Sequence, residues 1–542
     1  MVGSWCRPIG LPAPQQHPSS RARGAGMRAR GNAWQKRTVS TVGRKRHRVW
    51  SVGCPTLLLT LMCLLAYTYS VPRGLFSNAD TRIALTRAIV DDHTVRIDPY
   101  VRQLVDRSWY HGHFYTDKAP GVSLLAVPVY AALRALVPPT FFDPRHNRFD
   151  VVRYLLTTLV VSLPAAVFVG LFWRFLLPVL GRRRAAVVAV GYGLGTMAWS
   201  LSALLFSHIV AAMSLFGAFM LLYPVSIGRA HAAWWCWAGA GMLCGLAALC
   251  EYPAALIGLL MTLFAIQAAQ GVGLRHRALR LLVFVVAGLA LLAPLALYNQ
   301  FAYGNPFTLG YAHEAGDPAF ARGMQRGLEG VGLPHPVALW GITFSPYRGL
   351  FVLSPFLLLA LPGLAAMWRR QRQRPAAALC ACSVVAMLLV NSGYYMWSGG
   401  ASLGPRHFGP ALPFLVFPVA FAVRQAAWKR LGPWLIGVSI AVVGLSCITV
   451  LIFEPRPSNP LIQLVLPRLL SGPTPNVWGF TLLNWGMLLG LHGAASFLPL
   501  AGGEALLALA LGCALCRPKG PRRYHRALLR EFAPPAWRAR SR

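Results

Sequence analysis

Acidic side chains are rare in this chain and are concentrated in one short stretch. The chain has fifteen aspartates and glutamates, and six of them lie between positions 77 and 128. These six are Asp80, Asp91, Asp92, Asp98, Asp106 and Asp117. Carboxylates at the border of an apolar segment can act as general bases or as metal ligands. This stretch is therefore predicted to carry the chemistry of the protein.

Asp80 is the first candidate in that stretch for a catalytic carboxylate. It begins a segment of helical pattern, where the N-terminal end of a helix stabilises a negative charge. The alternative is that Asp80 only caps this helix. We expect Asp80 to serve as a general base, or to hold a divalent metal ion that does the same work. Asp117 is expected to position Lys118, and the other four aspartates to lie on the wet faces of interfacial helices.

Three cations stand at the beginnings of apolar segments, namely Lys118, Arg348 and Arg406. Arginine is suited to bidentate contacts with phosphate, lysine offers a compact charge, and helix N-termini favour anions. Together with His407, these cations are predicted to form a phosphate-binding site. The alternative is that they are scattered anchors whose charged ends reach the membrane surface.

Three further residues are candidates for acceptor contacts or for ion pairs, namely Asp117, Glu251 and Tyr347. Glu251 lies between two short apolar runs, where a carboxylate is costly unless it is paired or hydrated. It could pair with one of the arginines or face the acceptor. His208, at the end of another apolar run, is interpreted as a structural polar residue.

The elements that hold these residues are predicted to be membrane-spanning helices. Hydrophobic residues make up 56% of the 542 residues, charged residues 12%, and the mean hydropathy is +0.51, which excludes an ordinary soluble protein. Apolar runs long enough to cross a bilayer recur along the chain, and they must be helical to satisfy their backbone hydrogen bonds. The chain is therefore predicted to be an all-α, polytopic integral membrane bundle of about twelve transmembrane helices over residues 51–516.

Basic residues predict the orientation of this bundle. The formal net charge is +37, and basic clusters alternate along the chain with acidic loops, as the positive-inside rule expects of cytoplasmic segments. Residues 1–50 are predicted to be a disordered basic tail and 517–542 a second basic tail, both cytoplasmic. The long outer loops are then 73–150 and 299–348, and the protein is predicted to lie in the plasma (inner) membrane. Anionic membrane lipids account for the charge, so nucleic acid is not an expected partner.

These features resemble the GT-C glycosyltransferases, among them the protein O-mannosyltransferases and the lipid A aminoarabinose transferases. The resemblance is carried by Asp80 soon after the first span, by Lys118 at the end of the first outer loop, and more loosely by segments 345–349 and 404–407. It implies a polyprenyl-phosphate sugar donor and amphipathic helices in the first outer loop. It also implies that Asp80 is the catalytic acidic residue and that Lys118 contacts the donor phosphate. This chain departs from the relatives at Ala119, which replaces the first proline of their Lys-Pro-Pro motif, and it leaves the acceptor open.

The sequence therefore predicts transfer of a sugar from a polyprenyl-phosphate-linked donor to a lipid, glycan or protein acceptor on the outer face of the membrane. The alternative is a transporter or lipid flippase of the cell envelope. That class would need ionisable residues near the middle of its spans and related half-repeats. Glu504 is the one candidate of that kind in the predicted spans. The metal requirement stays open.

Overall fold

The computed structural model describes residues 53–74, 76–138, 142, 149–228, 233–454, 457–472 and 481–516. The two predicted basic tails, 1–50 and 517–542, lie outside the described residues. Contacts between Cα positions divide the chain into residues 1–54 and 55–542. Apart from the first two residues of the first described helix, every element described below belongs to the second of these units.

Six helices in the described residues are long and apolar enough to cross a membrane. They are Val151–Leu180, Ser207–Ser226, Leu274–Tyr303, Gln371–Gly393, Trp428–Thr449 and Gly493–Cys516. Six shorter apolar helices are Gly53–Tyr69, Gly121–Leu136, Trp234–Cys250, Ala254–Ala268, Pro355–Trp368 and Leu461–Ser471. The chain is thus a multi-pass helical membrane protein. Twelve spans stay a prediction, because the shorter helices fall below the roughly 20 residues that a full crossing needs.

The remaining helices are short and mostly lie between the apolar ones. They are Ser77–Asp91, Arg182–Leu194, Ala198–Ser202, Pro318–Met324, Pro336–Thr343, Leu350–Leu353, Leu412–Ala422 and Trp485–Leu488. One of the roughly twelve predicted spans is the apolar run 185–206. The helix in this run is interrupted after Leu194. Glycines at 191, 193 and 195 weaken the helix there. The turns that follow lead to Ser207, where the next helix begins.

Two small antiparallel sheets interrupt the predicted all-α architecture. Strand Ser70–Arg73 pairs with Thr481–Asn484. Strands Ser108–Tyr110 and His113–Tyr115 form a hairpin in the loop after helix Ser77–Asp91. Its two turn residues both have positive φ, as the tight turns of hairpins require. Strands of three or four residues are too short to show an alternating pattern, which is why the sequence did not indicate them.

Residues 77–115 fold into a compact unit on the end of helix Leu274–Tyr303. Helix Ser77–Asp91 places Leu85 and Ala88 in a buried cluster with Tyr115 of the hairpin and Tyr303 at the end of helix Leu274–Tyr303. This helix confirms the predicted helical segment that begins near Asp80. The acidic loop is therefore held against the helical bundle, with its polar residues at fixed positions.

Small residues allow two helices beneath this unit to pack closely. A Cβ atom added at Gly241 would overlap the backbone of Phe284, and one added at Gly245 would overlap the backbone of Gly288. Glycines at such crossings let helix backbones approach each other inside a membrane. This contact fixes helix Trp234–Cys250, which ends at Glu251, against the helix that ends at Tyr303.

Candidate active site

Lys118 lies at the centre of a buried ionic group, between the hairpin and helix Gly121–Leu136. Its ammonium group is 2.7 Å from Asp106 Oδ1 and also pairs with Asp117 Oδ2. The rings of Tyr311 and Phe320 lie 5.4 and 5.2 Å from Nζ. Burial opposes the charge, but the two carboxylates outweigh it and hold the pKa of Lys118 well above its ordinary value. Lys118 is thus a permanently charged, fully paired cation.

Glu314, from the segment that follows helix Leu274–Tyr303, extends this group. A β-bridge between Ser108 and Glu314 brings the two loops together, and Gly316 N–H donates to Glu314 Oε1 over 2.9 Å. Burial, followed by the nearby charge of Asp117, raises the pKa of Glu314 to about 9. Burial also raises the pKa of Asp117, against the attraction of Lys118. Burial and the charge of Asp117 therefore favour the protonated form of the Glu314 carboxyl at neutral pH.

Glu314→Gln is expected to flatten the dependence of stability on pH between about 4.5 and about 9. The folded protein holds the Glu314 proton up to about pH 9, whereas an unfolded glutamate loses it near its ordinary pKa of 4.5. The stabilisation is therefore complete below the unfolded pKa and is lost as pH rises toward the folded pKa. Melting temperatures of the detergent-solubilised protein at several pH values measure this slope.

Asp317→Asn is a matched control for that measurement, because Asp317 lies in the same loop and caps a helix at the surface. Asparagine caps helices as well as aspartate does, so the melting temperature and its slope with pH should both stay close to wild type. An equal slope in wild type and Glu314→Gln would contradict the raised pKa of Glu314.

A second polar group lies where three loops meet, at Glu251. Its Oε2 atom is 3.0 Å from His208 Nδ1 and accepts a hydrogen bond from Ser207 Oγ. Arg82, from the helix that carries Asp80, donates to Ser207 Oγ over 3.0 Å. Burial disfavours the charge of Glu251, but His208 and Ser207 outweigh it and hold the pKa of Glu251 below its ordinary range. Glu251 is therefore an ionised carboxylate in the protein interior.

His407 completes this second group. Its ring lies 5.3 Å from the ring of His208 and 5.0 Å from that of Tyr394. Burial and the adjacent charge of Arg406 lower the pKa of His407 well below its ordinary value. The His407 imidazole is therefore neutral at physiological pH.

Arg406 has an unusual environment for a half-buried arginine. Its guanidinium lies 5.3 Å from the ring centre of Phe206, and within the described ranges it has neither an ion pair nor a hydrogen bond. Its charge lowers the pKa values of both Asp106 and His407, so it acts on both polar groups. A cation held in place without a counter-ion is suited to an anionic ligand.

Arg348 is placed differently from the prediction of an open phosphate contact. The side chain is fully buried, and it donates to the carbonyl oxygens of Gly400 and Phe453 over 2.7 and 3.0 Å. Its guanidinium also lies 4.6 Å from the ring of Tyr347, whose hydroxyl accepts from it over 3.3 Å. Arg348 and Tyr347 thus fix the irregular segment that presents Arg406.

Asp80 lies in a buried ion pair. Its Oδ1 atom accepts from Arg153 over 2.8 Å, and its Oδ2 atom accepts from the Phe76 N–H over 2.6 Å. Only 5% of the residue is exposed. The neighbouring cavity, lined by Phe76, Ala79 and Arg153 among others, has a volume of about 20 Å³. That volume admits a water molecule and excludes a sugar.

The structure thus brings together Asp117, Lys118, Glu251, Arg406 and His407, all of them candidates from the sequence. Asp106 corrects the sequence analysis: it was expected on a wet interfacial face, yet it is an ion-pair partner of Lys118. Sequence reasoning missed Glu314 and interpreted His208 as only structural. Glu314 gives no local signal, because it joins the group through a contact with Ser108 about two hundred positions earlier in the chain.

Comparison with known proteins gives structural neighbours only: no family profile and no curated protein matches the chain. The chain is similar to the structure of ArnT from Cupriavidus metallidurans, with 15% identity and a TM-score of 0.43 over 85% of this chain and 75% of that one. It is also similar to the oligosaccharyltransferase of Archaeoglobus fulgidus in the apo form, with 13% identity and a TM-score of 0.40 over 90% of this chain. A third neighbour is the same organism's AglB with an inhibitory peptide and a dolichol-phosphate, at 12% identity and a TM-score of 0.38 over 91% of this chain. The chain spans 59% of each of the two oligosaccharyltransferase chains.

These neighbours are membrane glycosyltransferases of the GT-C type, the class that the sequence resembles. The level of similarity is low, with identities of 12 to 15% and TM-scores below 0.5. The likeness therefore carries no assignment of substrate, partner or residue, and the function must be argued from the two polar groups of this chain.

Proposed function

We propose that this protein transfers a sugar from a polyprenyl-phosphate-linked donor to a lipid, glycan or protein acceptor on the outer face of the membrane. The observation that carries the proposal is Arg406, a cation with no ion pair in the described part of the chain, whose charge acts both on the carboxylates around Lys118 and on the group of Glu251 and His407. Both groups lie in turns and loops, or at the helix ends beside them. The alternation of basic and acidic connections along the sequence supports the outer face.

The reaction needs a cation and a base in one place. The acceptor hydroxyl oxygen bonds to the anomeric carbon, the bond between that carbon and the phosphate oxygen breaks, and a base takes the hydroxyl proton. The leaving polyprenyl phosphate carries the electron pair of the broken bond, so a fixed cation beside it stabilises the transition state. Arg406 is the principal cation in this proposal, with His407 beside it. Lys118 contacts phosphate when the phosphate displaces one of its two carboxylate partners.

Two positions are proposed for the base. The resemblance supports Asp80, whose carboxylate pairs with Arg153. The arrangement around Lys118 supports Asp106, whose side chain is 19% exposed and so can be reached by an acceptor. Arg348 and Tyr347 contribute indirectly, by holding the segment of Arg406. Glu251 is proposed to orient His407 and His208.

Arg406→Ala is expected to lower the rate of sugar transfer by about 10- to 100-fold. The loss of one hydrogen bond to a charged group in the transition state corresponds to a decrease of this size. The assay incubates membranes containing the protein with a panel of synthetic polyprenyl-phosphate monosaccharides and follows donor consumption and glycan products by mass spectrometry. Arg102→Ala is the matched control, because Arg102 is an exposed arginine of the first outer loop, and it should retain full activity. Wild-type membranes that consume none of the donors, or an Arg406→Ala variant as active as wild type, would refute the proposal.

The alternative, a transporter or flippase, has one observation in its favour. Glu504 lies in the candidate span Gly493–Cys516, and among the described residues neither of its buried carboxylate oxygens has a hydrogen-bond partner. A carboxylate in such a position is often part of an ion or proton path. Movement of a labelled polyprenyl phosphate across reconstituted vesicles, without any sugar transfer, would favour this class.

A further inference from the structure

His208, Glu251 and His407 form a cluster with the composition of a metal site. One ring nitrogen of each histidine and one carboxylate oxygen lie within 4.8 Å of one another. The three residues come from three separate elements: the start of helix Ser207–Ser226, the turn after helix Trp234–Cys250, and the 3-10 helix Arg406–Ala411. Two histidines and one glutamate are the protein ligands of many zinc sites, in which the fourth position stays open.

The ring nitrogens in this cluster lack the partners that buried polar atoms normally have. His208 is only 5% exposed, and its Nδ1 atom lies 3.0 Å from Glu251 Oε2 without meeting the geometry of a hydrogen bond. The buried Nε2 atom of His407 has no hydrogen-bond partner among the described residues. Most buried polar atoms in proteins are satisfied, so two unsatisfied imidazole nitrogens near one carboxylate need an explanation. A shared metal ion satisfies both lone pairs.

The distances between the three ligand atoms are close to those of a tetrahedral zinc site, so only a small adjustment is needed. Zinc bonds of about 2.0 to 2.1 Å place the ligand atoms of a tetrahedron about 3.3 Å apart. His208 Nδ1 and Glu251 Oε2, at 3.0 Å, already have nearly this separation. The widest pair in the cluster, within 4.8 Å, must approach by about 1.5 Å at most, which side-chain rotation supplies.

The residues around the cluster fix the direction of its carboxylate ligand. Ser207 donates to Glu251, and Arg82 donates to Ser207, so the carboxylate is fixed in direction by a supporting shell. The charge of Arg406 beside the cluster opposes a divalent cation. An anion in the open fourth position would balance that charge.

We propose that His208, Glu251 and His407 bind one divalent transition-metal ion, with zinc as the best fit, and leave one coordination position open toward an anionic ligand. The site holds the helix start at 207, the turn at 251 and the segment at 406 to one another. It does not depend on the sugar-transfer proposal, because its test measures bound metal and not activity.

The test uses the full chain purified without a histidine tag, loaded with zinc chloride and desalted, with metal content measured by mass spectrometry. We expect about one zinc ion per wild-type chain and at least a tenfold loss of zinc affinity in His208→Gln and in Glu251→Gln. His335→Gln is the matched control, because His335 is an exposed histidine of the outer loop and should retain the zinc. Zinc content in wild type no higher than in the double variant His208→Gln, His407→Gln would overturn the proposal.

A spectroscopic measurement decides the case in which the variants fail to fold. Cobalt(II) loaded into the wild-type protein should give the intense visible absorption of a four-coordinate ion with nitrogen and oxygen ligands, and added inorganic phosphate should shift it. The weak spectrum of octahedral cobalt in water would overturn the site. A four-coordinate spectrum that phosphate leaves unchanged would overturn the open position toward an anion.

Discussion

Arg153→Met is expected to lower the free energy of unfolding by about 3 to 5 kcal/mol, because it leaves Asp80 charged and buried without its partner. The two side chains are only 7% and 6% exposed, and Arg153 Nη1 lies 2.8 Å from Asp80 Oδ1. Tryptophan fluorescence during thermal unfolding in detergent measures the loss. Arg134→Met is the matched control, because the Arg134–Asp91 pair has the same 2.8 Å separation but is more exposed. Its loss should cost no more than about 1 kcal/mol.

The double variant Asp80→Asn, Arg153→Gln separates stability from catalysis. It removes both charges and should regain most of the stability, since no unpaired charge remains buried. If Asp80 is the base, sugar transfer should stay about 100- to 10,000-fold below wild type in this stable protein. A stable double variant with nearly full activity would exclude Asp80 and leave Asp106 as the proposed base. An Arg153→Met protein as stable as wild type would contradict the buried pair itself.

The second large effect is expected at Lys118. Lys118→Met leaves the carboxylates of Asp106 and Asp117 without their cation in the protein interior. We therefore expect a loss of about 3 to 5 kcal/mol in the free energy of unfolding. The same change removes a cation near the proposed phosphate position, so transfer should fall by at least about 100-fold in the folded fraction. Both quantities can be measured on one preparation, by thermal unfolding and by the donor-consumption assay.

Two further variants make the Lys118 result interpretable. Lys429→Met replaces an exposed lysine at the start of helix Trp428–Thr449 and should change neither quantity. Lys118→Met combined with Asp106→Asn removes one of the two stranded charges and should recover part of the stability. If Lys118→Met alone is as stable as wild type, the ionic group contributes no net stabilisation. If it is also fully active, Lys118 has no part in the reaction.

The general class of the protein could be predicted from composition, because long apolar runs leave few structures other than membrane helices. The helical segment beginning near Asp80 and the role of Asp117 beside Lys118 could also be predicted, since both depend on neighbours in sequence. Glu314 could not, because its place beside Asp117 depends on the β-bridge to Ser108. Local periodicity contains no information about such pairings.

The three cations also show what could not be predicted from the sequence. Lys118, Arg348 and Arg406 have similar positions in the sequence, at the beginnings of apolar segments, and were predicted to act alike. Their partners differ because tertiary packing decides them: Lys118 meets carboxylates, Arg348 meets backbone carbonyl oxygens left over by an irregular segment, and Arg406 meets an aromatic ring. Sequence position located the three charges but could not tell which one is available to a ligand.

The glycine contact between helices Trp234–Cys250 and Leu274–Tyr303 has a consequence for the polar groups above it. Gly241 and Glu251 are ten positions apart, which is about 15 Å along a helix. Because the two backbones touch at Gly241 and Gly245, one helix cannot shift without carrying the other. The position of Glu251 relative to helix Leu274–Tyr303 is therefore set in part by glycines, which carry no charge and take no part in the polar groups.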